Sequence, residues 1–313
     1  MPGLWTAPPL AAGPRPPRLA PRLGLAPAAL GVETARMANP SWPLDGRTIL
    51  VTGATSGIGL EVARALARRG ALVAVGARDA ARGQAVVDEL VRGGGRAVPF
   101  QADLSRLSSV REAAARFAAA HPALDVLVNN AGIAPRARTV TAEGHEVTWA
   151  TNVLAPVLLA RLLAPALRAA PRPRVVNVGS EAHRSGRLAW DDLELSSGYG
   201  AWRAYAQSKL ALLLLTRELA RREAGIDVNV LHPGAIATNI WRGAPAPIRG
   251  LLGLVLPGPK KGGAPVVRLA ADPALAGLTG RYFDRFRERE PSAAARDDAA
   301  AARLWELVAP LTS

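Results

Sequence analysis

The sequence contains no cysteine, which excludes a disulfide framework, a thiolate metal site and a cysteine nucleophile. Its four histidines, at 121, 145, 183 and 232, stand far apart without the spacing of metal ligands, so each reads as structural and no metal is expected. Aromatic residues are scarce at 4%, only three tyrosines are present, and lysine occurs only at 209, 260 and 261. The other 36 of the 39 basic residues are arginines dispersed among alanine, glycine and proline. A net charge of +14 would suit a nucleic acid, but dense basic runs interleaved with aromatics are missing, so no specific nucleic-acid partner is expected. No transmembrane segment is read either. With no anchor, the chain is expected to be cytoplasmic.

Residues 1–36 lack aspartate, hold Trp5 as their only aromatic and are rich in proline, alanine and arginine. Such a segment buries too little apolar surface to offset its ordering entropy, and it is expected to be disordered. Its longest apolar piece, Leu23 to Val32, is broken by Pro27 and too short to span a bilayer. Two origins fit it: an arginine-rich targeting segment, or a start codon placed too early, since Met37 leads directly into the first strand. Residues 37–313 are then one catalytic domain, of a length that a single α/β core can fill.

What is present is organised around Ile49 to Leu60, Ile-Leu-Val-Thr-Gly-Ala-Thr-Ser-Gly-Ile-Gly-Leu. A short apolar strand runs into a glycine-rich turn and then a periodic helix from Ile58. Gly53, Gly57 and Gly59 allow a tight turn and close approach of a ligand, and the following helix offers its N–H groups and positive dipole end to a pyrophosphate. From there strands and helices alternate, which predicts a doubly wound parallel sheet with helices on both faces. Strands are expected at Ala71 to Ala77, Ala97 to Gln101, Leu124 to Val128 and Val175 to Val178. Helices are expected at Ala80 to Arg92, Val110 to Ala120, about Glu143 to Leu167 with a kink near Pro156, and through Ala211 to Glu223.

Each strand's carboxyl end carries a candidate. Ala77 and Arg78 close the second, where an acidic residue would accept from a free ribose hydroxyl. An arginine there suits a 2′-phosphate instead, unless Arg78 is one more solvated arginine. Asp103 could accept from an adenine amino group or cap the helix after Ser105. Asn129-Asn130-Ala131-Gly132 supplies small and amide groups. Asn152 lies inside the long helix, where it either faces solvent or does a polar job.

Tyr205-Ala206-Gln207-Ser208-Lys209 is the most specific stretch. Residues four apart share a helix face, so the phenol and the ammonium project together, and a nearby cation lowers a phenol pKa toward neutrality. With three tyrosines and three lysines in 313 residues, about 0.03 chance occurrences of Tyr-x-x-x-Lys are expected. Tyr199 is followed four residues later by Arg203, a broad fork in place of a compact ammonium.

Taken together, Thr52-Gly53 through Gly57-Ile58-Gly59, Asn129-Asn130-Ala131-Gly132, Ser180, Tyr205 with Lys209, and His232-Pro233-Gly234 resemble a short-chain dehydrogenase/reductase over about Asp45 to Leu311. The stretch Ala189 to Gly200 and Leu278-Thr-Gly-Arg-Tyr-Phe are similar to the retinol-dehydrogenase-like branch, although the membrane anchor common at that branch's start is not seen. The resemblance implies a Rossmann-type fold and a catalytic tetrad of Asn152, Ser180, Tyr205 and Lys209, with Asn152 anchoring a water that links Lys209 to solvent. It also implies a cofactor site along Thr52, Gly53, Ser56, Gly57, Ile58, Gly59, Arg78, Asp103 and Leu104. That site continues through Asn130, Ala131, Gly132, Tyr205, Lys209, Pro233, Gly234 and Thr238. The implied activity is interconversion of a lipophilic carbonyl compound and its alcohol, with NADP(H) preferred over NAD(H). Residues Trp241, Ile248, Leu251, Leu252, Leu254 and Val255 are expected to form the apolar underside of a substrate lid, or else a satellite core patch or a membrane-surface contact. Two rival functions are a reductase of a carrier-bound acyl chain and a catalytically silent cofactor-binding sensor. The oligomeric state, monomer or homodimer, is left open.

Overall fold

In the computed structural model of the chain, residues 42–234 and 258–313 are described. The expected extension 1–36, the lid residues 241–255 and Thr238 fall outside them. Eight strands form one sheet in the order β3-β2-β1-β4-β5-β6-β7-β8. These are β1 Thr48–Val51, β2 Leu72–Ala77, β3 Arg96–Gln101, β4 Val126–Asn129, β5 Arg174–Val178, β6 Asp227–His232, β7 Tyr282–Asp284 and β8 Arg287–Arg289. All neighbours are parallel except β7 and β8, which pair antiparallel at one edge. The order reverses between β1 and β4, and at such a switch point a crevice opens outside the carboxyl ends of the strands.

The near-continuous apolar runs of the central strands follow from burial on both faces, because side chains alternate with a period of two. Ile49, Val51, Val126, Val128, Val176 and Val178 face one core, shared with α1 Gly57–Ala67, α2 Ala80–Arg92 and α7 Pro259–Ala271. Leu50, Leu127 and Val175 face the other, with α3 Leu107–Ala120, α6 Ala201–Arg222 and α8 Asp298–Val308. A further helix, α4, lies in this second layer in three consecutive pieces, Val147–Trp149, Ala150–Leu154 and Ala155–Leu162, followed by α5, Ala164–Arg168.

Three expectations about helices need correction. The long helix starts at Val147, not near Glu143, because a turn closed by Thr141 N–H to the His145 carbonyl at 2.7 Å precedes it, with Gly144 at φ 87°. The buried carboxylate of Glu146 then caps the N–H groups of Thr148 and Trp149. The expected kink at Pro156 takes the form of a π-helical turn, Ala150–Leu154, immediately before it. Finally, α3 begins at Leu107, one turn earlier than Val110, because the Glu143 carboxylate accepts from Leu107 N–H at 2.5 Å and Ser108 N–H at 3.1 Å. That cap comes from residues far along the chain, where no local pattern could show it.

Candidate active site

The carboxyl ends of the strands border one cleft of about 920 Å³. Its first wall is the β1-to-α1 turn. Gly53 and Gly57 have φ of 64° and 58°, a region that L side chains avoid. A Cβ on Gly57 would meet nothing within 4 Å, so the backbone there faces open cleft, whereas a Cβ on Gly59 would stand 2.4 Å from both Asn130 Nδ2 and the Gly53 carbonyl. Gly59 therefore lies behind the wall and allows α1 to approach β4. The Ser56 hydroxyl makes no capping hydrogen bond to α1, and the first N–H groups of α1 lack intrahelical acceptors as in any helix. Thr52, Ser56 and Ile58 line the same wall.

The turn is fixed by the end of β4. The Thr52 hydroxyl donates to the Val128 carbonyl at 3.3 Å and accepts from the N–H groups of Asn130 and Ala131 at 3.0 and 3.1 Å. Asn130 Nδ2 donates back to the Thr52 carbonyl at 2.8 Å. The asparagine and threonine thus do the bridging work expected of amide groups at neighbouring strand ends. Asn129 is directed away, donating to Asn177 Oδ1 at 2.9 Å beneath the sheet.

At the end of β2, Arg78 is exposed and lines the cleft, and so does Arg82, four residues later on the first turn of α2. No helix-face spacing links Arg82 to Arg78, which precedes the Asp79 cap of α2, so the sequence alone gives no sign of it. Asp103 lines the cleft with Leu104. Its carboxylate accepts from the N–H and hydroxyl of Ser105 at 3.0 and 2.7 Å, so it shapes the loop before α3, and the cap of α3 itself is Glu143.

The far end of the cleft is made by β5, β6 and α6. Ser180 follows β5, Tyr205 and Lys209 lie on the buried face of α6, and Pro233 and Gly234 follow β6. α6 begins at Ala201, so Tyr205 sits one turn inside the helix. Lys209 Nζ donates to the Val178 carbonyl at 2.9 Å and stands 5.6 Å from the centre of the Tyr205 ring. Burial pushes the Lys209 pKa down to about 8. Tyr205 departs from the expected depression. Burial raises its phenol, and the hydrogen bond with Ser180 works against that shift. The cause is that both groups are removed from water, which disfavours the phenolate as much as the ammonium.

Asn152 does not line the cleft. It sits in the π-helical turn with its Oδ1 accepting from Ile133 N–H and its Nδ2 donating to the Ile133 carbonyl, both at 2.9 Å, and also to Ser208 Oγ at 3.0 Å. Its side chain is thereby committed to holding the loop after β4 against α6. A Cβ on Gly132 would come within 3.5 Å of Lys209 Nζ and 3.6 Å of Asn152 Oδ1, so these three residues meet at one point. Pro156 has no N–H to offer the Asn152 carbonyl four residues back, a gap that fits the wider i+5 register of the π-helical turn.

Behind Ser180 lies a network the sequence did not reveal. His183, fully buried, shares a 2.7 Å hydrogen bond between Nδ1 and the Ser180 carbonyl, and its Nε2 accepts from Ser292 N–H at 3.2 Å. Tyr282 donates to Glu181 Oε1 at 2.8 Å, and Arg184 donates to Oε2 at 2.6 Å. His232 Nδ1 accepts from Glu181 N–H at 3.3 Å. Burial lowers the pKa of both His183 and His232. Among the described residues, no group of three or more His, Asp or Glu could hold a metal ion, and no helix is long and apolar enough to cross a membrane.

The geometry provides a glycine cradle before a helix start, two arginines near one end, and at the other a half-buried serine beside a buried tyrosine and lysine. Such an arrangement can hold an extended dinucleotide and move a proton at its reactive end. Comparisons with known proteins agree. The family model described as short chain dehydrogenase matches residues 47–247. Human retinol dehydrogenase 14 is 36% identical over 88% of this chain and 89% of its own length. Mouse polyprenol dehydrogenase is 41% identical over 84% of this chain and 83% of its own. Among solved structures, the active-site complex of Pseudomonas aeruginosa RhlG with NADP is 32% identical, covers 79% of this chain and 97% of that one, and superposes with a TM-score of 0.63.

Proposed function

The chain belongs to the short-chain dehydrogenase/reductase family, an NAD(P)-dependent oxidoreductase family, and from that premise we propose that it interconverts a lipophilic carbonyl compound and its alcohol with NADP(H). The observation that carries this reading is the group of half-buried Ser180 with buried Tyr205 and Lys209 at one end of the glycine cradle. A bound nicotinamide dinucleotide would supply the hydride exchanged with the carbonyl carbon.

The chain's own residues have four tasks. The Gly53–Gly57 turn and the start of α1 hold the pyrophosphate. Arg78, with Arg82 beside it, takes the 2′-phosphate, since a guanidinium fork matches a phosphate and no acidic residue stands at the end of β2 to favour a free hydroxyl. Tyr205 gives or takes the proton at the substrate oxygen, and Ser180 hydrogen-bonds that oxygen. Lys209 binds the nicotinamide ribose and, once charged, stabilises the phenolate. The free protein's raised tyrosine and lowered lysine pKa fit a site that is completed by its anionic cofactor.

The apolar character of the substrate is supported by Ile133, Ala134, Val147, Ala182 and Trp202 around the reactive end, and by relatives named for retinol and polyprenol, both long apolar alcohols. Thr238 and the 241–255 segment are assigned to the nicotinamide and to a substrate lid by the sequence reading alone. Residues 1–36 are proposed to be dispensable, and the enzyme to work in the cytoplasm without nucleic-acid partners. The test is NADPH and NADH consumption against a panel of free aldehydes and ketones graded in apolar bulk, alongside carrier-linked acyl ketones. We expect turnover with free lipophilic carbonyls and NADPH. Turnover of the carrier-linked substrates alone, or of none, would overturn the proposal.

A further inference from the structure

Trp202 is 56% exposed, which is unusual for the largest side chain in a chain with few aromatics. Among the described residues the other exposed large apolar side chains are Val91, Val140, Leu307 and Leu311, and of the five only Trp202 lines the cleft. It stands in the first turn of α6, three residues before Tyr205, with the two rings 6.1 Å apart at their centres and inclined by 43°. One face of Tyr205's surroundings is therefore an open indole.

Arg136 is the second element. It is exposed, lines the same cleft and has no ion-pair partner among the described residues. Its loop is fastened to the start of α6, because the Tyr199 hydroxyl donates to the Pro135 carbonyl at 3.0 Å. Ala134, one residue further back, packs on Tyr205, Ala182 and Ala206. Trp202 and Arg136 consequently share one rim above the reacting end. Of the two acids in the lining, Glu181 is engaged by Tyr282 and Arg184 and Asp103 by Ser105, so among the described residues Arg136 leaves the rim with an uncompensated positive charge.

We infer that Trp202 and Arg136 are specificity-determining residues, which select a substrate whose carbonyl is flanked by a flat aromatic or conjugated body and bears an anionic group further along. A flat π-system stacks on the indole face with an attraction beyond simple burial, whereas a saturated ring of the same size gains only the burial. The anion meets Arg136 at the mouth, remote from the carbonyl, where a charge costs little desolvation. This inference rests on the carbonyl chemistry proposed above and adds the substrate class.

The test uses the full chain with saturating NADPH and three matched ketones: an aryl ketone, its cyclohexyl counterpart, and the aryl ketone with a carboxylate at its distal end. Trp202→Ala should lower kcat/KM for the aryl ketone about tenfold more than for the cyclohexyl one. Arg136→Gln should remove a preference of about threefold to fivefold for the carboxylate, a preference that in the unaltered enzyme shrinks as salt is raised. Equal losses for aryl and cyclohexyl substrates, or a carboxylate preference that survives Arg136→Gln, would overturn the inference. Should no ketone be turned over at all, the carbonyl reading fails on its own. Calorimetric titration of the NADPH complex with the aryl carboxylate then decides the matter. Weaker binding in both variants supports the rim, and unchanged binding removes it.

Discussion

Lys209 Nζ donates to the Val178 carbonyl at the end of β5, 2.9 Å away, and is almost fully withdrawn from water. One neutral acceptor does not replace the hydration of an ammonium, so burial brings its pKa from 10.5 down to about 8. The sign of the stability effect follows. Between those values the unfolded chain holds a proton on this lysine that the folded chain has released, so stability rises with pH across the window. The expected gain is on the order of 3 kcal/mol. Urea unfolding of the cofactor-free protein at a series of alkaline pH values should show it, and Lys209→Met should flatten it. A wild-type curve as flat as the variant's would mean that the lysine is better solvated than its burial implies.

Tyr205→Phe removes the proton-carrying group and little else, since the ring stays packed against Ala182 and Ala206. We expect kcat to fall by about 10²–10⁴-fold, with NADPH affinity and melting temperature near those of the unaltered protein. Rapid turnover by the variant would assign the proton transfer to another group.

Cofactor choice is a matter of two arginines. Arg78→Ala, alone or combined with Ala77→Asp, should raise the NADPH KM far more than the NADH KM, because only NADPH loses a charge-assisted contact. Arg82→Ala should act in the same direction, since it lines the same end of the cleft. Equal losses with both cofactors would show that the arginines serve the helix and not the phosphate.

The parts of this site that could be read from the chain share a property: the residues that matter are close in sequence and fixed by local geometry. Gly53 to Gly59 and Tyr205 with Lys209 are such cases, and the central strands announced themselves because two-sided burial demands unbroken apolar runs. The parts that escaped depend on distant partners. The Glu143 cap on α3 spans 36 residues from its donor at Leu107, and His183 joins Ser180 to Ser292 across 109. The sequence shows Asn152 as a polar residue in a helix, but its π-helical setting and its grip on Ile133 exist only once α4 packs beside α6. The direction of the Tyr205 pKa is hidden in the sequence for the same reason. Spacing shows the cation beside the phenol, but not the loss of water around both.

The acid limb of stability should be governed by His183. Its ring has no exposed surface, stacks edge-on against Tyr282 with centres 5.2 Å apart, and spends both nitrogens on backbone groups. Because Nε2 accepts from Ser292 N–H, the neutral ring carries its proton on Nδ1 and donates it to the Ser180 carbonyl. Protonating Nε2 would set two N–H groups against each other. Burial accordingly places the folded pKa below the ordinary 6.5. As pH falls from that value the unfolded chain takes up the proton first, so stability is complete above it and drains away below. His183→Ala should cost about 2–4 kcal/mol, through a cavity and two stranded backbone groups. It should also blunt the loss just below pH 6.5, leaving the share due to half-buried His232 and, at lower pH, to carboxylates such as Glu181 and Glu143 that are held below their ordinary range. A merely structural histidine would lower the melting temperature without touching kinetics. Since this ring holds the carbonyl of Ser180 itself, the variant is expected to lower kcat at temperatures where it is fully folded, with the NADPH KM unchanged. His183→Asn, which can still present a donor near the Nδ1 position, should recover part of that kcat. If kcat stayed at the wild-type value in the folded alanine variant, His183 would support the loop without setting the position of Ser180.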